Sequence, residues 1–303
     1  MDEKISATDD HITSGNESVA AEIYTSELLD KILKKNVNRE VITDFYVPNN
    51  VLTEQKNFQF KVFIRLNAKK ITFKNVSFIH CIFDNCYLIN CVFDSCDFTG
   101  CKFLGSNFHQ TAFRGCNFEF ATFERSQLDD DILREAPRKE NLRMRFARSL
   151  RMNYQQIGDA KAVNKTILLE LEATSIYLYK SWRSGETYYK EKYPGLLNGI
   201  AQFVRWTEFW LLDFVCGNGE SIFKLLRSIL ISIILIAVYD TNTNGSSLNI
   251  GFYWSSLQIA PAVFLGISSP SNFTDGVLSI ITGTRFVSIA LLTALLVKRF
   301  SRR

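Results

Sequence analysis

The sequence predicts two architectures in series: a four-sided β-solenoid, then an α-helical region ending in a two-span membrane domain. Three observations carry this. A five-residue unit repeats without a gap from residue 71 to residue 130, twelve units in sixty residues. The last third of the chain is far more apolar than the rest, so a mean hydropathy of zero averages a polar part with an apolar one. Lys and Arg flank the two longest apolar runs but are absent from Asp240 to Thr284 between them.

The units read ITFKN, VSFIH, CIFDN, CYLIN, CVFDS, CDFTG and onward to SQLDD, and every centre is Phe or Leu. A period of five fits neither a helix nor a flat strand. It fits a coil in which each unit is one side of a square, with the centre and the small residue two before it both pointing at the axis. Coils then stack at ~4.8 Å, and Phe83, Leu88, Phe93, Phe98, Phe103 and Phe113 build a common core. Outward positions stay polar, as at Asp84, Asp94, Lys102, Arg114 and Glu124. This pattern resembles the pentapeptide-repeat family, which implies a right-handed quadrilateral β-helix. Phe58, Phe63 and Ala68 continue the spacing upstream and allow one degenerate extra coil.

Six of the seven cysteines, Cys81, Cys86, Cys91, Cys96, Cys101 and Cys116, take the inward small position, which Val76, Ser106, Thr111 and Ala121 also occupy. A ligand set would not tolerate such replacements, so these thiols are expected to fill volume, with no metal and no cofactor. The usage fits a reducing compartment. Residues 1–20 are polar and are expected as a disordered tail. Met1 to Ser18 has no apolar core, so no signal peptide is expected and the repeats remain in the cytoplasm. Residues 21–70 are expected as an N-terminal cap, with Ile23, Leu28, Leu29, Ile32 and Leu33 on one helical stripe covering the open end of the solenoid.

From residue 131 the period becomes helical, and residues 131–195 are expected as a linker domain. Arg143, Arg145, Arg148 and Arg151 give it a basic helix that is either a solvated face or a contact for anionic headgroups or nucleic acid. Residues 196–303 form the expected membrane domain. An interfacial helix over 196–216 carries Trp206 and Trp210, and a soluble core helix is the alternative. Spans are expected over 222–239 and 277–297, the first ~27 Å long. Lys224 and Arg227 precede one, and Lys298, Arg299, Arg302 and Arg303 follow the other, so both termini are expected inside a bacterial inner membrane. Between them the uncharged stretch 251–267 is expected as a re-entrant helix, because a third crossing would reverse the tail. Irregular backbone at that depth needs protein or water around it, which implies an oligomer.

Span, re-entrant helix, Leu-Gly loop, span and basic stop are similar to the two-span, pore-loop channels of the potassium-channel type, and LLDFVCGNGESIFKLLRS resembles bacterial proteins that join pentapeptide repeats to such a channel. That likeness implies a tetramer-like homo-oligomer with Phe264, Leu265, Gly266, Ile267 and Ser268 in the pore loop. The chain departs from the Thr-Val-Gly-Tyr-Gly filter, keeping only Gly266 of its two glycines, so weak selectivity is expected. Arg285 either snorkels outward or faces the oligomer axis behind the Gly266 loop, with Asp275 the nearest outer carboxylate in sequence.

The expected function is a pore gated by a cytoplasmic repeat domain, of a kind suited to a membrane-disrupting effector such as one used in defence against phage. The alternative is a membrane-anchored scaffold without conductance. In both, the repeat domain contacts a cytoplasmic partner. Some pentapeptide-repeat relatives mimic DNA and bind gyrase. Here five acids against four bases over residues 71–128 give no phosphate-like field, and direct contact with nucleic acid is not expected. An enzyme is not expected either: His11, His80 and His109 stand without catalytic neighbours at useful spacing, and no phosphate-binding loop is present.

Overall fold

The last residue of each repeat turns the chain. Arg65, Lys70, Asn75, His80, Asn85, Asn90 and Ser95 have φ between 51° and 56°, and Gly100, Gly105 and Gly115 take the same left-handed conformation. One such corner after each short extended side is the physical origin of the period of five. The conformation costs an ordinary residue ~1–2 kcal/mol, and asparagine and glycine meet that cost most cheaply. Gly100 has a second reason to lack a side chain. The imidazole of His80, one coil earlier, stands with its Cε1 2.6 Å from where a Cβ would project.

The computed structural model describes residues 39–47, 52–54, 56–243 and 250–301, so the expected tail and the stripe between Ala21 and Lys35 lie outside the described residues. Three ladders of short parallel strands stack along the axis, and a fourth side is held by bridges joining Asn57, Ser77, Asp97 and Asn117. Lys102 pairs with Ile82, twenty residues earlier, and Val62 pairs with Val41 in the same ladder. The described residues of 41–70, expected as part of a cap, therefore carry the ladders of the solenoid. Strands Val41–Thr43, Tyr46–Val47 and Leu52–Glu54 precede the extra coil that Phe58 and Phe63 announce. Their units lack regular Phe centres, which is why the spacing does not reveal them.

Inside, the centre residues stack in columns. Phe78, Phe98 and Phe118 lie 5.1 Å apart in succession, Phe83 and Phe103 5.2 Å, Phe103 and Phe123 5.0 Å, and Phe93 and Phe113 5.4 Å. Neighbouring columns meet edge to face, as between Phe93 and Phe98, the two arrangements aromatic quadrupoles favour. Leu88 is buried with them. The small inward groups tie successive coils together. Ser106 Oγ donates to the Phe83 carbonyl at 3.1 Å and Cys86 Sγ to that of Phe63 at 3.3 Å, while the Cys86 amide donates to Ser106 Oγ at 2.9 Å. Burial pushes the Cys81 and Cys86 thiols up to about 11 and those of Cys91 and Cys101 upward as well.

Residues 131–195 do more than link. Helix α1 (Glu140–Ile157) lays Phe146, Leu150 and Tyr154 on the last coil, and Phe146 meets Phe118 and Phe123 at 5.8 Å. Gly158, left-handed at φ 79°, ends it, and Asp159 caps helix α2 (Ala160–Arg183) by accepting from the Ala162 amide at 2.9 Å. Three of the four arginines are paired with acids of α2, and Arg145 is exposed. Arg148 and Arg151 both donate to Glu170 of α2, at 3.0 and 2.7 Å, and Arg143 to Glu172 at 3.4 Å.

After the short helix α3 (Thr187–Lys192), helix α4 (Leu196–Cys216) packs back on α2. Trp182 meets Phe203 at 5.0 Å and Trp206 at 5.4 Å, and Gln202 is buried beside Ser181. Three more helices complete the chain: α5 (Ile222–Thr243), α6 (Ile250–Leu265) and α7 (Asp275–Ser301). Two are long and apolar enough to cross a membrane, Ile222–Thr243 with 22 residues and Asp275–Phe300 with 26, and only 17% of each apolar window is buried within the chain. Both run beyond the spans expected at 222–239 and 277–297. They lie antiparallel: Leu295 packs on Leu225 and Cys216 at one end, and Ile281 on the cluster around Ile236 further along.

The solenoid core gives two testable outcomes. Phe98→Ala is expected to lose about 3–5 kcal/mol and Lys102→Ala less than about 0.5 kcal/mol, read from denaturant midpoints of the full chain in detergent. Because all six repeat cysteines are buried away from reagent, and burial also holds Cys81, Cys86, Cys91 and Cys101 neutral, they are expected to resist iodoacetamide at pH 8 and to react fully once denatured, as mass spectrometry would count.

Candidate functional site

Asp240, near the end of α5, is buried and is bonded both by α6 and by the loop that precedes α7. Ser256 Oγ of α6 donates to its Oδ2 at 2.7 Å. Asn272 Nδ2 donates to its Oδ1 at 2.8 Å and to Thr243 Oγ1 at 2.7 Å. The chain thus leaves the level of Asp240, descends along α6 beside α5, and climbs back through the loop of residues 266–274 to the same level. From Ser256 to Leu265 the descent is ~14 Å at helical rise. Sequence expectations gave Asp240 and Asn272 no role. The available signal was an acid closing an apolar run, with no further charge until Asp275.

At the bottom of the descent α6 stops at Gly266, φ 79°. The Gly266 amide donates to the Val263 carbonyl at 3.0 Å and the Ile267 amide to that of Ala262 at 2.9 Å, the paired bonds by which a left-handed residue finishes a helix. Gly266 is therefore a helix terminator, and the carbonyls of Ala262 and Val263 are engaged within the chain instead of facing a conduit. The guanidinium of Arg285 fills the space where a Cβ of residue 266 would project, with its Cζ 2.9 Å from that point and 5.2 Å from the Phe286 ring centre. Asp275 is ten residues away from Arg285 on the same helix, ~15 Å, so it is not the arginine's partner.

The other residues expected in a pore loop separate into two groups. Phe264 is buried between α5 and α7, in one cluster with Ile236, Phe273 and Ile281. Leu265 and Ile267 are exposed, and Ser268 is half-buried. All three helices of this bundle expose large apolar side chains, among them Phe223, Leu230, Leu235, Trp254, Ile280, Val287 and Val297. At its far end Lys298 Nζ donates to the Gly219 carbonyl at 2.9 Å and to Glu220 at 2.5 Å. Lys224 bonds Asp213, and Arg227 donates to the Phe214 carbonyl at 2.5 Å while lying over its ring. All the cations of the two long helices except Arg285 thus gather at one end. Among the described residues no group of three or more His, Cys, Asp or Glu is arranged to hold a metal ion.

The comparisons with known proteins bear on the first half of the chain. Residues 88–132 match the family model for pentapeptide repeats (9 copies). Together with the stacked coils, that match defines a pentapeptide-repeat β-solenoid of about four turns, joined to a helical region with two candidate membrane helices. Among solved structures, the pentapeptide-repeat protein Rfr23 from the cyanobacterium Cyanothece 51142 is similar at 13% identity over 33% of this chain and 83% of that one, with a TM-score of 0.17. Two trypsin-treated forms of QnrB1, a plasmid-mediated fluoroquinolone resistance protein, are similar at 18% and 19% identity over 30% of this chain, with TM-scores of 0.15 and 0.14. This chain spans 62% and 54% of those two chains. No curated protein matches it.

Gly266→Ala forces a side chain into the Arg285 position and a left-handed alanine into the turn, and is expected to destabilise the full chain by about 2 kcal/mol or more. Gly276→Ala, where a Cβ meets nothing within 4 Å, is the matched control and should stay within about 0.5 kcal/mol. Thermal scans of the detergent-solubilised protein by circular dichroism compare the two.

Proposed function

We propose that this chain assembles as a homo-oligomeric, weakly selective pore in a bacterial inner membrane, with both termini and the repeat domain on the cytoplasmic side, and that it is not an enzyme. The observation that carries the reading is the uncharged segment bonded to Asp240 from α6 and from the loop before α7, which descends to Gly266 and returns. Non-helical backbone at membrane depth is tolerated only against protein or water, and one copy leaves most of this segment and of the two long helices uncovered. Further copies around a central axis supply the missing cover, and Leu265, Ile267 and Ser268 are then the loop residues nearest that axis. The gathering of Lys224, Arg227, Lys298 and Arg299 at one end of the bundle supports an inside orientation for that end.

In this reading Arg285 is the control point. It is the one Lys or Arg between Arg227 and Lys298, it touches the turn of the descending segment, and a ring of such charges repels cations or holds the conduit shut. A leak of this kind suits a membrane-disrupting effector, such as one released in defence against phage, better than selective ion transport, since the loop lacks the second filter glycine. The repeat domain, with its near-balanced charge, is the arm through which a cytoplasmic protein partner restrains or releases it.

The full chain reconstituted in phosphatidylglycerol-containing liposomes is expected to collapse a potassium diffusion potential reported by a voltage-sensitive dye. Arg285→Ala should change the leak rate at least about fivefold, on the scale of removing one buried charge, while insertion and oligomer size stay constant. An intact potential with correctly inserted protein, under every ionic and pH condition tried, would establish the alternative of an anchored scaffold.

A further inference from the structure

Where the α1–α2 hairpin that covers the last coil meets the charged end of the two long helices, a cavity of about 500 Å³ opens between α2 and the α4–α5 turn. One wall is Ile167 and Leu168 of α2; the other is Phe223 of α5 and Leu295 of α7; Lys298 and Arg299 stand at its rim. Leu168 is 65% exposed and Phe223 80% exposed, so two large apolar side chains flank the opening without cover from the chain itself. Lys298 is held by Glu220 and the Gly219 carbonyl, but among the described residues Arg299 makes no ion pair. The cavity is therefore amphipathic, with an apolar floor, a cationic rim, and a position at the level where the long helices pass from apolar to charged.

We infer that this cavity binds a phosphate-bearing anionic lipid of the leaflet on the hairpin side, its phosphate on Arg299 with Lys298 behind it and the start of an acyl chain between Leu168 and Phe223. Three features select this occupant. A soluble phosphate has no use for the apolar walls, whereas a lipid brings both chemistries in one molecule. The volume lies within the range of sites that hold a small organic molecule. The two helices that frame the cavity continue into the apolar bundle, so the walls are continuous with the surface acyl chains cover, and basic pockets at that level are where anionic headgroups are recognised. The Arg148–Glu170–Arg151 cluster adjoins the cavity and remains internally paired. A lipid seated here touches α2 and both long helices at once, and so joins the repeat domain to the bilayer.

The inference rests on the two helices crossing a membrane and not on a pore, so it is tested without measuring conductance. The full chain in mixed micelles is titrated with phosphatidylglycerol, with phosphatidylcholine and with inorganic phosphate, and bound lipid is read by native mass spectrometry. Phosphatidylglycerol is expected to saturate one site per chain with at least about tenfold preference over phosphatidylcholine, about what one or two basic contacts supply. Arg299→Gln and Leu168→Asp, each at an exposed position, are expected to abolish that preference while Lys102→Ala keeps it. Preference unchanged in both cavity variants overturns the assignment, as does binding of inorganic phosphate alone that lipid does not displace. If the chain conducts no ions yet loses its lipid in these two variants, the pore fails and the lipid site stands.

Discussion

A stack of parallel coils satisfies its backbone only from within, so the last coil has amides with no coil above to receive them. That deficit shapes the first half of this molecule and dictates the helices joined to it. An uncovered end is a template for further strands as well as a loss of hydrogen bonds. The chain answers with side chains placed where the next coil would be. Asn153 of α1 accepts from the Ser126 amide at 2.7 Å and donates to the Ser126 carbonyl at 2.8 Å, standing in for the inward residue of a coil that does not exist. Ser149 receives the Phe123 amide, Gln156 that of Arg125, and Glu135 that of Cys116. Phe146 extends the aromatic core by one more ring.

Once α1 is fixed by those bonds, the remainder is positioned by it. Glu170 on α2 gathers Arg148 and Arg151 from α1, which holds the hairpin closed; α2 offers Trp182 to α4; and α4 hands the chain to α5 through a turn clamped by Lys298 of α7. Every joint from the last coil to the bundle is therefore made of packed side chains or hydrogen-bonded ions, with no long unstructured connection among the described residues. A displacement of the solenoid has a direct physical route to the cytoplasmic ends expected for both spans.

Legibility in the sequence depends on the range of the interactions. The coil is readable because each unit states its own geometry: a central Phe, a small residue two before it and a corner residue able to turn left-handed. The cap is not readable, since Asn153, Ser149 and Gln156 are ordinary polar helix residues until the amides of the last coil stand opposite. The same holds for Arg148 and Arg151, which look like a free basic face until Glu170 arrives from nineteen or more residues away. In the helical bundle, the need for glycine at 266 is visible but its use as a helix terminator is not, because that depends on the return of the loop to Asp240. The upstream strands Val41–Thr43, Tyr46–Val47 and Leu52–Glu54 are missed for the opposite reason, ladder pairing carried by units without a regular Phe centre.

The corner at every fifth residue also makes the solenoid a measuring rod. Its cross-section is set by four corners and does not change along the axis, so one coil of twenty residues, such as 81–100, can be removed or duplicated with Phe still stacking on Phe and each inward hydroxyl or thiol still meeting a carbonyl. Each such step moves the first coil by ~4.8 Å relative to α1 and leaves the helices beyond it untouched. Reach from α1 is then a quantity that evolution can adjust in whole coils, independently of whatever α5, α6 and α7 do.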